Sequence, residues 1–202
     1  MGLNAEGIQQ AKGALEIYKQ LNHKIKQAHC LNNLAYLLYD DKQLNAAEEA
    51  ALQSINLLSD TRDQHAACES YCALGNICHF KGKSEKAIEH YETALGIASS
   101  FKWHDQLLWS HYALAELFCG QGRFNDAYAH IEHAKSHAIN NTYSLGCVME
   151  LQASILFQQD RLEEAKSEAL GAFGVFEKLG ASKEAEACRQ LLKGEEKREN
   201  EW

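Results

Sequence analysis

The chain has 202 residues, of which 46% are hydrophobic and 24% charged, and it contains no proline, where ordinary usage would place roughly ten. Proline lacks the N–H that a helix interior needs, so its absence suits an uninterrupted series of helices and excludes collagen-like and polyproline scaffolds. Twenty Lys and Arg against 28 Asp and Glu give a formal net charge of −8, which argues against a nucleic-acid binder, since the phosphate backbone requires a basic face.

The first expected element is a half unit over residues 3–22, one amphipathic helix whose Gly7, Ala11 and Ala14-Leu15 return at Ala47, Ala51 and Ser54-Ile55. Four full units follow at about 23–60, 61–101, 102–140 and 141–180. The first carries Leu34-Ala35, Lys42, Ala47, Ala51 and Ser54-Ile55; the second Leu74-Gly75, Gly82, Ala87, Tyr91 and Ala94-Leu95. The third carries Leu114-Ala115, Gly122, Ala127, Ile131 and Ala134-Lys135, and the fourth Gln152-Ala153, Asp160, Ala165, Ala169 and Ala172-Phe173. Positions 34, 74 and 114 are 40 apart, so the repeat is about 40 residues. Each unit reads as two amphipathic helices around a polar turn (DDKQ, KGKS, GQGR, QQDR), with apolar residues at spacings of three and four. Residues 181–193, with KEAEACRQLLK, read as a closing helix, and the charged stretch 194–202 as a disordered tail.

The expected fold is therefore all-α, about ten helices arranged as antiparallel pairs. Small residues before and after each turn let the two helices of a pair approach closely, and each pair must stack on its neighbours to cover its apolar faces. The half unit is expected to leave Ile8 and Leu15 as an apolar edge that an upstream unit or a second copy could cover. No stretch approaches the ~18 apolar residues of a membrane span, and the N-terminus lacks a secretory signal pattern. Seven scattered cysteines read as reduced, buried small side chains, which points to the cytoplasm.

The pattern of a small residue after leucine, a turn glycine, then alanine, an aromatic and Ala-Leu, strongest from Leu74 to Leu95, resembles the tetratricopeptide repeat family. The resemblance covers about residues 5–192 and implies a right-handed superhelical solenoid. Two departures stand out: the family's proline after the second helix is missing, and the unit is longer than 34 residues. The longer unit is similar to the C-terminal repeat arrays of fungal NACHT and NB-ARC signalling ATPases, which implies, as an alternative role, a sensor array regulating a larger ATPase.

No P-loop, GxGxxG or GxSxG motif is present, and neither an enzyme activity nor a cofactor is expected. His130, His133 and His137 share a helix face, as do His65, Cys68 and Cys72. The outer members of each trio lie about 10 Å apart, too far for one metal ion. The His130 face is expected to be an exposed polar stripe, and Cys68 and Cys72 to pack between helices. Cys78 and His79 are adjacent on a helix, diverge by about 100° and make a poor catalytic pair.

By the family resemblance, the first helix of each pair lines a concave groove. The residues it implies there include Asn32, Tyr36, Tyr39, Glu69, Asn76, His79, Trp109, Tyr112, Glu116 and Glu150. Lys and Arg are missing from this face. The carboxylate clamp of chaperone-binding relatives is therefore not reproduced, since its positions here hold Asn32, Tyr36, Ala73, Trp109 and Ala113. Aromatic area with carboxylates suits a peptide or protein partner with apolar anchors and basic residues. The expected function is thus a non-enzymatic protein-interaction module.

Overall fold

The fold is built from one repeated local event, the way a helix is stopped. In the computed structural model, which describes residues 3–59, 61–138 and 142–199, the chain forms ten α-helices, with no strand among the described residues. They are α1 (Leu3–Gln20), α2 (Lys24–Asp40), α3 (Leu44–Leu58), α4 (Gln64–Phe80), α5 (Ser84–Phe101), α6 (His104–Gly120), α7 (Phe124–His137), α8 (Tyr143–Gln158), α9 (Leu162–Leu179) and α10 (Ser182–Glu199). Between the helices of each pair, Lys42, Gly82, Gly122 and Asp160 take left-handed φ values of 62°, 69°, 70° and 55°. The following N–H in each turn reaches back five residues: Gln43 to Leu38, Lys83 to Cys78, Arg123 to Phe118 and Arg161 to Leu156. This is the Schellman closure, which satisfies carbonyls orphaned at the helix end. Two units use glycine for the left-handed residue, and two accept the cost of a side chain there. Asn22, Lys102 and Gly180 repeat the geometry at the ends of α1, α5 and α9.

Contacts divide the chain into two compact units, residues 1–110 and 111–202, with the boundary inside α6. In the first, α2 packs on α3, α4 on α5, and α1 on α2. Its core joins Ile8 and Leu15 of α1 to Leu31, Leu34, Ala35 and Leu38 of α2, Ala47, Ala50 and Ala51 of α3, and Ala73, Leu74 and Ile77 of α4. Ile8 and Leu15 are therefore not the open apolar edge the sequence suggests: they are buried against the following pair, and among the described side chains the large apolar ones that α1 and the turn after it expose are Ile17 and Leu21. A buried polar seam crosses this core. Ser54 Oγ donates to the Ala28 carbonyl at 3.0 Å, and Ser70 Oγ lies 2.9 Å from Ser54 Oγ and 3.0 Å from Asn32 Oδ1, so each buried polar side chain is matched.

In the second unit, α8 packs on α9, α9 on α10, and α7 on α8. Its core includes Cys147, Ala172, Phe176, Ala185 and Cys188. The residues aligned by the repeat, Ala47, Ala87, Ala127 and Ala165, are all buried, as are Ala35, Gly75, Ala115 and Ala153. Volume is exchanged across the pair: the second helix carries Tyr91 opposite Gly75, whereas Ala51 and Ala169 stand in units whose first helix has alanine at that site. The closing helix runs through Glu199, beyond the expected end at 193. The segment GEEKRE is rich in Glu, Lys and Arg, which are good helix formers. Residues 200–202 of the expected tail lie outside the described residues. No described helix is long and apolar enough to cross a membrane. All seven cysteines are free thiols.

Candidate functional site

Helical periodicity places the expected binding residues on α2, α4, α6 and α8, and side-chain contacts then sort them. In the first unit several serve packing. Asn32 is 2% exposed; its amide donates to the Ala66 carbonyl at 3.3 Å and to Glu69 Oε2 at 3.1 Å, and accepts from Ser70. Its expected place in a ligand groove is corrected on this ground, because its hydrogen-bonding capacity is spent between α2 and α4. Tyr36 is half-buried and donates its hydroxyl to the Glu69 carbonyl at 3.2 Å; burial, then the nearby Cys72 and Glu69, push its phenol far up. Asn76 accepts a hydrogen bond from Tyr91 at 2.7 Å. Tyr39 meets the exposed ring of Phe80 edge-on, with centroids 6.0 Å apart, and Lys42 Nζ sits 4.4 Å over Phe80.

Tyr36, with Cys30, Asn33 and Leu37 of α2 and Gly7, Gln10, Ala11 and Ala14 of α1, also lines a hollow of about 550 Å³. Glu69 and His79 are half-buried on α4, and Trp109 on α6 is 40% exposed. Cys68 and Cys72 pack as expected: Cys68 Sγ lies 3.5 Å from the Ala94 carbonyl and Cys72 Sγ 3.5 Å from Ser110 Oγ.

The second unit brings aromatic rings and carboxylates together. Tyr112 is half-buried; burial, then Glu116, Cys147 and Glu150, push its phenol up. Tyr143, 45% exposed, donates its hydroxyl to Glu184 at 3.1 Å, and its own phenol is raised to about 12, chiefly by burial. Glu150 is raised above the usual carboxylate range by burial and by Glu184. No Lys, Arg or His forms an ion pair with Glu116, Glu150 or Glu184 among the described residues. Sequence reasoning missed Tyr143 and the contribution of α10. The available signal was the likeness of KEAEACRQLLK to the start of another unit, which makes α10 a further first helix with its own exposed face.

The histidine stripe is corrected as well. It is an open polar face only in part: His133 is exposed, but His130 and His137 are half-buried, and His111 of α6 stands against the stripe, with its Nδ1 2.9 Å from His130 Nδ1 and its ring stacked on His133 with centroids 4.8 Å apart and on His137 at 6.3 Å. Burial, then the three neighbouring imidazoles, lower His111 to about 4. Among the described residues no group of three or more His, Cys, Asp or Glu is arranged to hold a metal ion.

Antiparallel helix pairs with one recurring turn, buried small residues at the crossings and side-chain diversity on the first helices define a helical-repeat protein. The sequence matches the tetratricopeptide repeat family model over residues 31–100 and 66–140, together more than half of the chain, and the chain belongs to that family. No curated protein matches it by sequence. Among solved structures, BtubC (BKLC) from P. vanneervenii superposes with a TM-score of 0.70 at 18% identity, covering 100% of this chain and 94% of the neighbour. A Rap protein in complex with Competence and Sporulation Factor gives a TM-score of 0.70 at 15% identity, covering 98% of this chain; the chain spans only 60% of that neighbour's length. At these identities the likeness is one of fold.

Proposed function

We propose that the protein is a non-enzymatic, cytoplasmic interaction module that holds a segment of a protein partner on the exposed faces of its first helices. The observation that carries this reading is the second unit's face, where Tyr112, Tyr143, Glu116, Glu150 and Glu184 present aromatic area and carboxylates with no cation of the chain paired to those three carboxylates among the described residues. Such a face favours a partner with apolar anchors and basic residues, because rings supply contact area and unpaired carboxylates supply charge complementarity. Two further facts support it: the family's repeats commonly act as interaction scaffolds, and the Rap neighbour was solved in complex with a factor. Seven free thiols fit a reducing compartment.

The test is affinity for a purified partner identified by crosslinking. Trp109→Ala and Glu116→Lys are each expected to weaken binding about tenfold with the helical circular dichroism unchanged, since exposed positions tolerate substitution. Unchanged affinity in both variants would move the interaction off these faces.

A further inference from the structure

Helices α8 and α10 leave a hollow of about 370 Å³ between them. Glu150, Ser154 and Phe157 line it from α8, and Ala187, Gln190 and Leu191 from α10. Three of the six lining residues are apolar, and the hollow's one charged group, Glu150, is half-buried and has no ion-pair or hydrogen-bond partner among the described residues. Nearby Glu184 is engaged by the Tyr143 hydroxyl and adds a second negative charge.

These features select the occupant. An apolar side chain would remove water from Glu150 without replacing it, and an acidic one would meet two carboxylates. A short hydroxyl or amide would leave the apolar walls bare. A long side chain with a methylene stem and a terminal cation satisfies both parts, its stem on Phe157, Ala187 and Leu191 and its charge on Glu150. Ser154 and Gln190 stand in the same lining with groups able to hydrogen-bond an incoming main chain. We propose that this hollow is the seat of one arginine or lysine side chain of the partner polypeptide. The inference rests on the interaction-module reading and places its cationic contact at a named subsite.

Glu150 also gives the test its control. A carboxylate that burial and a like charge hold above its usual range is costly to keep ionised at neutral pH, so Glu150→Gln is expected to leave the fold at least as stable while removing the proposed contact. A melting temperature of that variant at or above the wild-type value separates loss of the contact from unfolding. The probes are Ac-Ala-Arg-Ala-NH2, Ac-Ala-Lys-Ala-NH2, the uncharged Ac-Ala-norleucine-Ala-NH2 and free spermidine, titrated into the 15N-labelled full chain.

The arginine or the lysine peptide is expected to shift the amide resonances of Glu150, Phe157, Gln190 and Leu191, with binding about tenfold weaker in Glu150→Gln and a melting temperature at or above that of the wild type. Equal binding of the norleucine peptide, unchanged binding in Glu150→Gln, or no shift at these residues with either cationic peptide would overturn the proposal. Spermidine shifting these residues while both cationic peptides leave them unmoved would assign the hollow to a free polyamine and overturn it equally. The interaction-module reading stands or falls separately, on the Trp109→Ala and Glu116→Lys affinities.

Discussion

Replacing Gly75 by alanine is expected to destabilise the first unit by about 2 kcal/mol, although the change adds a better helix former to the middle of a helix. A Cβ built on Gly75 falls 2.5 Å from Tyr91 Cδ1 and 2.9 Å from its Cζ. The ring has nowhere to go: Tyr91 is 1% exposed, and its hydroxyl is held by Asn76 at 2.7 Å. Overpacking of this kind costs about 1–3 kcal/mol, here near the top of that range, and the helix propensity gained returns about 1 kcal/mol. Urea unfolding measures the balance. Gly171→Ala is the control, because the Cβ there meets the terminal methyl of Met149, which can rotate away, and the substitution is expected to be neutral or stabilising. Adding Tyr91→Leu to Gly75→Ala should recover part of the loss, giving a double-mutant coupling of opposite sign to the single penalty. A Gly75→Ala protein as stable as the wild type would show that the α4–α5 crossing is not set by this close approach.

The same pair shows how much of the molecule was legible in the sequence. Gly75, Ala87 and Gly82 announced a helix pair closing on a tight turn, because backbone approach and left-handed φ restrict residue identity strongly. Lys42 and Asp160 occupy the same turn position without glycine, and only the 40-residue alignment identified them. The binding face was less legible. Asn32 and Asn76 look like groove amides in the sequence, yet Asn32 is buried on Ala66, Glu69 and Ser70, and Asn76 receives Tyr91. Those partners lie between 15 and 38 residues away, and a pattern of small residues carries no record of which amide they will meet. Tyr112, Glu116 and Glu150 could be placed on first helices by periodicity, but their convergence with Tyr143 and Glu184 depends on how α8 and α10 pack. The histidines of α7 were visible as a stripe, whereas the ring that covers them comes from another helix.

That covering ring makes acid sensitivity the second large expected effect. His111 is half-buried among His130, His133 and His137, and Asp126 is the acidic group that acts on His130. Burial disfavours the imidazolium, and three further imidazoles disfavour it more, so the folded-state value is about 4 against an ordinary 6.5. The sign follows from proton binding. Above pH 6.5 the ring is neutral in both states and contributes no pH dependence; between 6.5 and about 4 the unfolded chain binds a proton that the folded chain refuses, so stability falls as pH falls. One pH unit across a full difference in protonation is worth about 1.4 kcal/mol. From pH 7 to pH 5 the expected loss is therefore about 1 to 2 kcal/mol, the lower end allowing for solvent screening of a partly exposed ring. His130 and His90, lowered chiefly by burial, add a loss of the same sign in both proteins, so urea unfolding at the two pH values should show a loss smaller by about this amount in His111→Gln, which keeps a polar group but cannot titrate. Glu150, whose raised value contributes in the opposite direction, is common to both proteins and cancels in the comparison. Parallel pH dependences in wild type and His111→Gln would mean that the cluster opens at no cost and that the stacking of His111 on α7 does not constrain its protonation.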